Sequence, residues 1–415
     1  MTVARTSLAK DKIRILLLEG ISDTAVENFA RAGYRNVELV NGSLSREDLL
    51  EAVAGVHLLG IRSRTQLDAE VFAAAKRLIA VGCFCIGTNQ VDLDAARNLG
   101  IPVFNAPFSN TRSVAELTLG EIVMLMRNIF PKSVSAHAGG WDKSAEGSIE
   151  VRGRTLGIVG YGNIGKQLSV LAEALGMRVI FYDVATRLPL GNASRCATLD
   201  ELLHWSDVVT VHVPETPATQ GMIGAEQIAR MKPGAYLINN ARGTLVDMDA
   251  LAAALRGGHL AGAALDVFPE EPKRNGDPFV SPVQGIPNVI LTPHIGGSTE
   301  EAQSRIGEEV ARKLADYSDT GSTLGAVNFP QVELPPRATG ARFMHVHHNA
   351  PGVLGAINQV FASHGVNIAG QYLQTEGGIG YVVVDAGATH EGEAILAKLR
   401  ALPHTIRARL LYERG

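Results

Sequence analysis

Hydrophobic and polar positions in the first 105 residues alternate between two spacings. Continuous apolar runs predict short buried strands, whereas the segments between them repeat apolar residues every three or four positions, which predicts helices. TAVENFARAG, EDLLEAVAG and DLDAARNLG also end on glycine, as helices often do. The predicted strands are IRILLLE, VELV, VHLLGI, LIAVGCF and IPVFN. This alternation predicts a parallel sheet with helices on both faces. The stretch has no phosphate-binding glycine loop, so we expect it to bind something other than a nucleotide.

A second series of strands and helices follows the long helical pattern TRSVAELTLGEIVMLMRNIF. Its predicted strands are TLGIVG, RVIFYD, DVVTVHVP, AYLINNA, GAALDVF and VILTPHI. Another helical pattern, TEEAQSRIGEEVARKLADY, leads into SDTGSTLGAVNFPQVELPPRATG, whose polar, proline-bearing composition is typical of a linker.

The last 75 residues predict a separate unit of order βαββαβ, which is the ferredoxin-like arrangement. Gly377-Gly378 predicts the turn of a hairpin. Pro351 is suited to the first turn of the first helix, and Gly365 to the position just after its end. We expect this unit to be self-contained and to have no catalytic group of its own.

Composition and charge exclude several classes of function. A chain of 415 residues is too long for one core and predicts several domains. The net charge is −4 with no basic block, which argues against nucleic acid or a membrane surface as a partner. The first apolar run is too short for a signal or an anchor. Three cysteines, Cys83, Cys85 and Cys196, form no disulfide framework, so we expect a reducing cytoplasm.

GYGNIG has the spacing of a dinucleotide-binding loop, with Gly160, Gly162 and Gly165 between a predicted strand and helix. These glycines allow a pyrophosphate to lie at the helix N-terminus. Asp183 ends the next predicted strand, 18 positions after Gly165. Its carboxylate would accept hydrogen bonds from ribose hydroxyls and repel a 2′-phosphate, which favours NAD over NADP. The structural alternative is an ordinary turn with a solvated aspartate.

Three later segments place a polar group where a predicted strand ends, at the edge where parallel sheets bind ligands. These groups are Arg242, Glu270 or Glu271, and His294. A histidine can exchange the proton of an alcohol while hydride leaves its carbon, and a carboxylate can fix the tautomer of the imidazole. An arginine can bind a substrate carboxylate through two hydrogen bonds. Each residue also has a structural alternative: a strand cap, a solvated loop acid or a buried turn histidine.

GYGNIG, NNARGTLVD, ALDVFPEEP and LTPHIGGST, in this order, resemble the signatures of the D-isomer-specific 2-hydroxyacid dehydrogenases. The wider sequence, including GCFCIGTNQVDLDAA and QYLQTEGGIGYVVVD, is similar to the members with one C-terminal ACT domain. Those members oxidise 3-phospho-D-glycerate to 3-phosphohydroxypyruvate with NAD, the committed step of L-serine biosynthesis. The resemblance also implies feedback inhibition by L-serine and allows a 2-oxoglutarate reductase side activity.

The resemblance implies a role for each motif residue. Arg242 would orient the substrate, and His294 would be the general acid/base. Glu271 would pair with the histidine, because the family's acid directly precedes a proline, here Pro272. NAD contacts would include Asn163, Ile164, Asp183, Asn240, Ala241, Arg242, Asp266, His294, Gly296 and Gly297.

The implied fold is two Rossmann-like or flavodoxin-like doubly wound parallel-sheet domains followed by a ferredoxin-like ACT domain. The NAD-binding domain, 110–298, would be inserted into a substrate-binding domain made of 1–109 and 299–336. The ACT domain would span 341–415. The family implies a homotetramer, with contacts between cofactor domains and between regulatory domains.

Arg62 and Arg64 flank a serine after the predicted strand VHLLGI. Arginine suits the geometry of a phosphate, so this loop suggests a phosphorylated 2-hydroxy acid as the substrate. The alternative is a solvated surface pair. Asn110, with Thr111 and Arg112, is a weaker candidate for a substrate contact.

MHVHHNAPG contains three histidines. In a strand, His345 and His347 share a face, but no cysteine or carboxylate nearby in sequence would complete a metal site, so we expect none. We expect His345 and His348 to be solvated at a sheet edge. The resemblance implies that His347, Asn349 and Asn367 bind serine across a dimer interface. Two departures from the family affect this expectation: Ala350 replaces an arginine, and the segment 337–340 has a single glycine.

Two alternatives to the phosphoglycerate reaction remain at this stage. One is a reductase of hydroxypyruvate or glyoxylate, against which the C-terminal unit and the two arginines argue. The other is a non-catalytic NAD-sensing scaffold, since the fold also serves such proteins.

Overall fold

The computed structural model describes residues 8–272, 276–335, 340–387 and 391–411. The chain divides into two compact units: Met1–Ser109 with Gln303–Gly415, and Asn110–Ala302. Within the described ranges, no helix is both long enough and apolar enough to cross a membrane.

The first unit begins with a five-stranded parallel sheet of order β2-β1-β3-β4-β5, which confirms the predicted α/β class. Its helices start after Ser22, Ser45, Asp68 and Asp92, and the side chain of each of these residues accepts a hydrogen bond from a backbone N–H of the first turn. The strands are β1 (Ile15–Leu17), β2 (Val37–Leu39), β3 (Leu58–Ile61), β4 (Ala80–Cys83) and β5 (Val103–Asn105). The helices are α1 (Asp23–Arg31), α2 (Arg46–Val53), α3 (Ala69–Ala74) and α4 (Leu93–Asn98).

The second unit contains a seven-stranded parallel sheet of order β12-β11-β10-β9-β6-β7-β8. Its first strand, β6, lies inside the sheet, with β7 and β8 on one side and β9 to β12 on the other. The strand order therefore reverses between β6 and β9, which is where doubly wound folds bind their ligand. The strands are β6 (Thr155–Val159), β7 (Arg178–Tyr182), β8 (Ser194–Arg195), β9 (Val208–Val211), β10 (Ala235–Asn239), β11 (Leu260–Leu265) and β12 (Val289–Leu291). The helices are α5 (Thr111–Met126), α6 (Ile129–His137), α7 (Asn163–Ala174), α8 (Leu199–Trp205), α9 (Ala225–Arg230) and α10 (Met248–Arg256).

Helix α11 (Glu300–Thr320) returns to the first unit and completes its core. Val310 and Leu314 pack over Gly82 of β4, where a Cβ would lie 2.6 and 2.8 Å from their methyl groups. The absence of a side chain at Gly82 therefore lets the helix lie directly on the strand. The hydrophobic periodicity predicted this helix, and only the family resemblance implied where it packs.

The segment after α11, predicted to be a linker, is packed along the part that the structure describes. Phe329, Val332 and Leu334 are buried in the core of the first unit. Asn328 Oδ1 accepts from the backbone N of Val103 at 2.8 Å, and its Nδ2 donates to the carbonyl of Ile101 at 3.0 Å. Buried side chains and internal hydrogen bonds are incompatible with a flexible linker, so that expectation was wrong here. Residues 336–339, which include most of the single-glycine segment, lie outside the described residues.

The C-terminal sheet is antiparallel, of order β14-β15-β13-β16, with helices on one face, as a ferredoxin-like unit requires. Its elements are β13 (Ala341–His348), α12 (Val353–Ser363), β14 (Ile368–Glu376), β15 (Ile379–Ala386), α13 (Gly392–Ala401) and β16 (Thr405–Leu411). Gly377 and Gly378 both have positive φ and form the predicted hairpin turn. Helix α12 begins at Val353, so Pro351 lies in the preceding turn and not in the first helical turn as predicted.

The opposite face of this sheet is not free. Met344, Val346 and Tyr381 lie in the same core as β1 and α11. Arg342 is fully buried and donates to both oxygens of Asp385, at 2.6 and 2.7 Å, and also to the carbonyl of Thr320 at 2.9 Å. The expectation of a self-contained unit was therefore wrong: the sheet packs against, and is hydrogen-bonded to, the end of α11.

Candidate active site

The glycine loop between β6 and α7 has a different spatial requirement at each glycine. Gly160 has a φ of +95°, and a Cβ there would lie 2.6 Å from the carbonyl oxygen of His212. A Cβ on Gly165 would lie 2.5 Å from the carbonyl of Gly160, so this glycine brings the helix close to the strand. A Cβ on Gly162 would meet no atom within 4 Å. The loop is therefore closed at its first and third glycines and open at the second, where a pyrophosphate would approach.

Asn163 and Ile164 form the first turn of α7, which begins directly after Gly162. Backbone N–H groups in a first helical turn have no acceptor within the helix, and the helix dipole adds a partial positive charge there. Asn163 is exposed and Ile164 is half-buried. This turn has the properties of an anion-binding helix N-terminus.

Asp183 lies directly after β7, and its carboxylate borders the glycine loop. Oδ2 accepts from the backbone N of Tyr161 at 2.9 Å, and Oδ1 from that of Ala185 at 2.8 Å. Arg187 Nε lies 3.2 Å from Oδ2. The carboxylate is buried and hydrogen-bonded rather than solvated. It holds the loop and the end of the second strand together.

His294 and Glu271 form a direct hydrogen-bonded pair, with His294 Nδ1 2.9 Å from Glu271 Oε2. The other oxygen of Glu271 accepts from the backbone N of Phe268 at 3.2 Å, which fixes the carboxylate. The hydrogen bond to Glu271 raises the pKa of His294, against the effects of burial and of the Arg242 charge. Burial would raise the pKa of Glu271, but its hydrogen bond to His294 and nearby positive charge outweigh it, and that pKa is lowered. The pair therefore favours an imidazolium next to a carboxylate.

Arg242 follows β10, and its loop is built around Asn239. The side chain of Asn239 accepts from the backbone N of Ala241 at 3.1 Å and donates to the carbonyl of Arg242 at 2.8 Å. The next residue, Gly243, is buried against the backbone of the Glu271 loop, where a Cβ would lie 1.9 Å from the carbonyl carbon of Phe268. Close backbone packing thus brings together the loops that carry Arg242 and Glu271.

Asp266, directly after β11, anchors the loop that carries His294. Oδ1 accepts from Thr292 Oγ1 at 2.6 Å and from the backbone N of Ile295 at 2.8 Å. Oδ2 accepts from the backbone N of Gly296 at 2.7 Å. His294 itself has a φ of +56°, a strained conformation for a non-glycine residue. The buried carboxylate of Asp266 holds the chain in this conformation.

Asn110 and Gly297 lie against each other in the second unit. A Cβ on Gly297 would lie 2.5 Å from Asn110 Nδ2. Asn110 is buried, and its Oδ1 has no hydrogen-bond partner among the described residues. An unpaired buried amide oxygen of this kind is suited to a ligand that supplies a donor.

Asn240 directs its side chain into the protein. Its Nδ2 donates to Glu121 Oε2 at 2.6 Å and to Thr118 Oγ1 at 3.0 Å. Glu121 is 2% exposed, and burial raises its pKa to about 7. Sequence reasoning missed Glu121; its one signal is a lone acid in the apolar helical run TLGEIVMLM. The side chain of Asn240 fixes the chain before Arg242, which leaves the backbone of this segment to face a ligand.

Arg62 and Arg64 follow β3 in the first unit. Arg62 is half-buried and Arg64 is exposed. Arg62 Nη1 donates to the backbone carbonyl of Glu19 at 3.4 Å. Two arginines at the carboxyl end of a parallel strand give this edge of the sheet a positive charge suited to an anion.

The three C-terminal histidines differ in environment. His345 is 1% exposed and His347 3% exposed, whereas His348 is exposed. The expectation that His345 is solvated at an edge was wrong, because β13 is an inner strand of the sheet. Burial lowers the pKa of His345 to about 4 and also lowers that of His347. Their Nδ1 atoms are 3.3 Å apart, and His345 Nε2 lies 2.9 Å from Thr405 Oγ1.

The proposed effector residues lie at two ends of the C-terminal sheet. His347 pairs with Gly380, and the backbone of Asn349 bonds Gly378 at the same end. Asn367 directly precedes Ile368, which pairs with Ala386 at the other end of β15. Gly380 and Ala386 are six positions apart along β15, which corresponds to ~20 Å. Within one chain these side chains do not form a common site. The described residues contain no group of three or more side chains able to hold a metal.

Two segments of the chain match known protein families. Residues 119–296 match the family described as "D-isomer specific 2-hydroxyacid dehydrogenase, NAD binding domain". Residues 343–407 match the "AHAS small subunit-like ACT domain".

Full-length relatives extend the similarity over the whole chain. The protein named D-3-phosphoglycerate dehydrogenase of Escherichia coli K12 is 58% identical, over 99% of this chain and 100% of its own. The protein of that name from Haemophilus influenzae is 56% identical over 98% and 99%. Among solved structures, D-lactate dehydrogenase of Aquifex aeolicus, complexed with NAD and lactic acid, is 30% identical with a TM-score of 0.64, over 73% of this chain and 95% of its own. D-2-hydroxyisocaproate dehydrogenase is 27% identical with a TM-score of 0.69, over 76% and 100%.

Proposed function

Because the chain belongs to the D-isomer-specific 2-hydroxyacid dehydrogenase family, we propose that it oxidises 3-phospho-D-glycerate to 3-phosphohydroxypyruvate with NAD. The observation that carries the proposal is the His294–Glu271 pair beside Arg242, in a chain that matches D-3-phosphoglycerate dehydrogenases from end to end. We propose that this reaction is the committed step of L-serine biosynthesis.

The proton of the substrate hydroxyl goes to His294. Because Nδ1 of His294 is hydrogen-bonded to Glu271, Nε2 is the nitrogen left to accept it. The neighbouring carboxylate stabilises the imidazolium that forms, which is the physical meaning of the raised pKa of His294. Arg242 holds the substrate carboxylate and polarises the carbonyl that develops. NAD held by the glycine loop would supply the acceptor for the hydride that leaves the carbon bearing the substrate hydroxyl.

NAD binding is assigned to the glycine loop and Asp183. The open face at Gly162 admits the pyrophosphate, and the buried carboxylate of Asp183 suits a ribose diol and disfavours a 2′-phosphate. The further contacts proposed are Asn163, Ile164, the backbone of Asn240–Arg242, Asp266, His294, Gly296 and Gly297.

Gly162→Val is expected to raise the Kd for NADH at least ~10-fold, because the new side chain would occupy the space left for the pyrophosphate. Stability should change little, since an added Cβ would meet no atom within 4 Å apart from its own chain neighbours, and the φ of −81° is one that valine adopts. Fluorescence titration with NADH and a thermal melt measure the two effects. An unchanged Kd would show that the pyrophosphate does not bind at this loop.

Substrate selection is assigned to Arg62 and Arg64, with Asn110 as a further contact. Two guanidinium groups favour a phosphorylated 2-hydroxy acid over a simple one. The unpaired amide oxygen of Asn110 adds a buried polar group that a substrate hydroxyl can satisfy.

An absorbance assay tests the proposed reaction. Purified protein with NAD and 3-phosphoglycerate at alkaline pH should produce NADH, and the absence of NADH would overturn the proposal. Reduction of hydroxypyruvate or glyoxylate without phosphoglycerate oxidation would favour the simpler reductase. NADH binding without turnover of any substrate would favour the sensing scaffold. Assay with 2-oxoglutarate measures the proposed side activity.

We propose further that L-serine inhibits the enzyme by binding between two C-terminal domains. His347 and Asn349 would come from one chain and Asn367 from the other, since one chain holds them ~20 Å apart. The lowered pKa of His347 keeps its imidazole neutral at pH 7, able to donate and accept hydrogen bonds with a small zwitterion.

His347→Ala is expected to raise the serine concentration for half-inhibition at least ~10-fold, through loss of a hydrogen bond to a charged ligand. The uninhibited kcat should stay within about two-fold, because this residue lies outside the proposed catalytic set. Serine titration of the initial rate measures both. His348→Ala, an exposed neighbour, is the matched control. If serine inhibits the wild type and both variants equally, His347 does not bind serine.

Self-association, with a homotetramer as the expected form, is supported by two surfaces. Helix α6 buries none of its residues and exposes Ile129, Phe130 and Val134, and Trp141 just beyond it is 86% exposed. Strand β14 is an edge strand whose outer backbone groups are unpaired within the sheet. A second copy of the chain would cover both surfaces. Sedimentation of the full-length protein tests the assembly.

A reducing cytoplasm is the proposed compartment. Cys83 and Cys196 are buried cysteines outside any disulfide. Burial raises the pKa of both Cys83 and Cys196, so neither is an activated thiolate. Free, inert thiols are usual for proteins of a reducing compartment.

A further inference from the structure

Glu19 accepts hydrogen bonds from three backbone amides of the loop that carries Arg62 and Arg64. Oε1 accepts from the N–H of Arg62 at 3.2 Å and of Thr65 at 2.9 Å. Oε2 accepts from the N–H of Arg64 at 3.0 Å. Glu19 is 9% exposed, so these bonds form in a largely water-excluded setting.

The backbone at Glu19 is also unusual. Its φ is +66°, a conformation that costs energy for any residue other than glycine. The backbone N–H of Glu19 donates to the carbonyl of Gly42 at 3.0 Å, and that of Gly20 to Val40 at 3.0 Å. A glycine would adopt this conformation without strain, but it would leave the three loop amides without their carboxylate acceptor.

Gln90 also holds this loop, through the backbone carbonyl of Arg62. Gln90 is buried, and its Nε2 donates to the carbonyl of Arg62 at 2.6 Å. Arg62 therefore has its N–H bonded to Glu19 and its carbonyl bonded to Gln90. Both peptide groups of the residue are fixed, which limits the directions that its side chain can take.

Three amides that converge on one carboxylate form a concave anion site of the kind that binds phosphate in other loops. Here Glu19 already fills it, so these three amides are not available to a bound phosphate. The guanidinium groups of Arg62 and Arg64 are the positive charges of this loop, and they can bind an anion together with the exposed Ser63 between them.

We propose that Glu19 is a positioning residue for the substrate phosphate: it fixes the Arg62–Thr65 loop so that both arginines present their guanidinium groups to the phosphorylated end of the substrate. This role rests on the proposed function. It assigns Glu19 to substrate affinity and selection, and not to hydride or proton transfer.

Glu19→Gln tests the role. Glutamine replaces one acceptor oxygen by a donor NH2 group, which confronts at least one loop amide with another donor. KM for 3-phosphoglycerate should rise at least ~10-fold, while kcat and KM for NAD stay within about two-fold. Glu38→Gln is the matched control, because Glu38 is exposed on β2 and pairs only with Arg14 among the described residues. It should behave as wild type.

Gln90→Leu provides an independent test should Glu19→Gln fail to fold, since it leaves Glu19 in place and removes the 2.6 Å bond to the carbonyl of Arg62, together with two longer bonds, to the carbonyl of Gly87 and to Cys85 Sγ, both at 3.3 Å. It should raise KM for 3-phosphoglycerate in the same selective way. An unchanged or lower KM for 3-phosphoglycerate in the folded variants, or an equal rise in KM for NAD, would overturn the role. A wild-type protein without activity on 3-phosphoglycerate would overturn the proposed function itself, which is a distinct outcome.

Discussion

His294→Ala is expected to lower kcat for 3-phosphoglycerate oxidation ~10³-fold, within the range that a positioned general base contributes. Alanine has no group to take the hydroxyl proton, and Glu271 would then lack the hydrogen bond from His294. NADH should still bind despite the loss of one proposed contact, because the glycine loop and Asp183 are unchanged. Steady-state rates and an NADH fluorescence titration measure the two quantities separately.

The pH profile gives a second measurement of the same prediction. Only neutral His294 can act as a base, so kcat/KM for oxidation should rise as pH rises through the pKa of His294. Glu271 raises that pKa, so the inflection should lie above the ordinary value for histidine, ~6.5. The residual activity of His294→Ala should lack this inflection.

His204→Ala is the control for loss of an imidazole. His204 is exposed on α8, where its ring packs edge-on against Trp205. It should retain wild-type kcat and the wild-type pH inflection. A kcat near wild type in His294→Ala, or the same inflection in both variants, would show that another group takes the proton.

The sequence predicted strands correctly where the pattern of neighbouring apolar residues alone identifies them. Strands such as Ile15–Leu17 and Val208–Val211 are buried on both faces, and their continuous apolar runs indicate this directly. The two-residue strand Ser194–Arg195 is polar and exposed, so no hydrophobic pattern marks it. Arg242, Glu271 and His294 stood out because each follows a strongly apolar strand.

Contacts between residues far apart in the chain could not be predicted from the sequence. The bond between Asn240 and Glu121 joins positions 119 apart, and a lone glutamate in a helical pattern gives no sign of its partner. His345 was placed at a sheet edge because sequence gives the alternation of a strand but not its neighbours. Its burial follows from the pairing of β13 with both β15 and β16.

The predicted linker failed for a related reason. Composition describes solubility and turn tendency, but Asn328 is held by hydrogen bonds to residues more than 200 positions earlier in the chain, and Phe329 packs against Tyr381, 52 positions later. The packing of Gly243 against the backbone of Phe268 is equally invisible in NNARGTLVD. This contact nevertheless sets the distance between two proposed catalytic loops, and it can be tested by adding one methyl group.

Gly243→Ala is expected to lower kcat/KM at least ~10²-fold, because displacements of about 1 Å at reacting groups have effects of this size. The new Cβ would lie 1.9 Å from the carbonyl carbon of Phe268 and 2.4 Å from the N of Pro269. Both are backbone atoms that no rotamer change can move. One segment must shift, which separates Arg242 from the His294–Glu271 pair. Overpacking should also cost about 1–3 kcal/mol of stability.

Gly120→Ala is the matched control, the same substitution in the same unit. Gly120 lies in α5, and a Cβ there would meet no atom within 4 Å beyond the helix itself. It should keep wild-type kcat/KM and gain about 0.5–1 kcal/mol from the higher helix propensity of alanine. If Gly243→Ala loses stability but keeps wild-type kcat/KM, the two loops do not depend on each other for their catalytic geometry. If it loses kcat/KM while NADH affinity is unchanged, the close contact between the loops is what aligns the arginine with the acid–base pair.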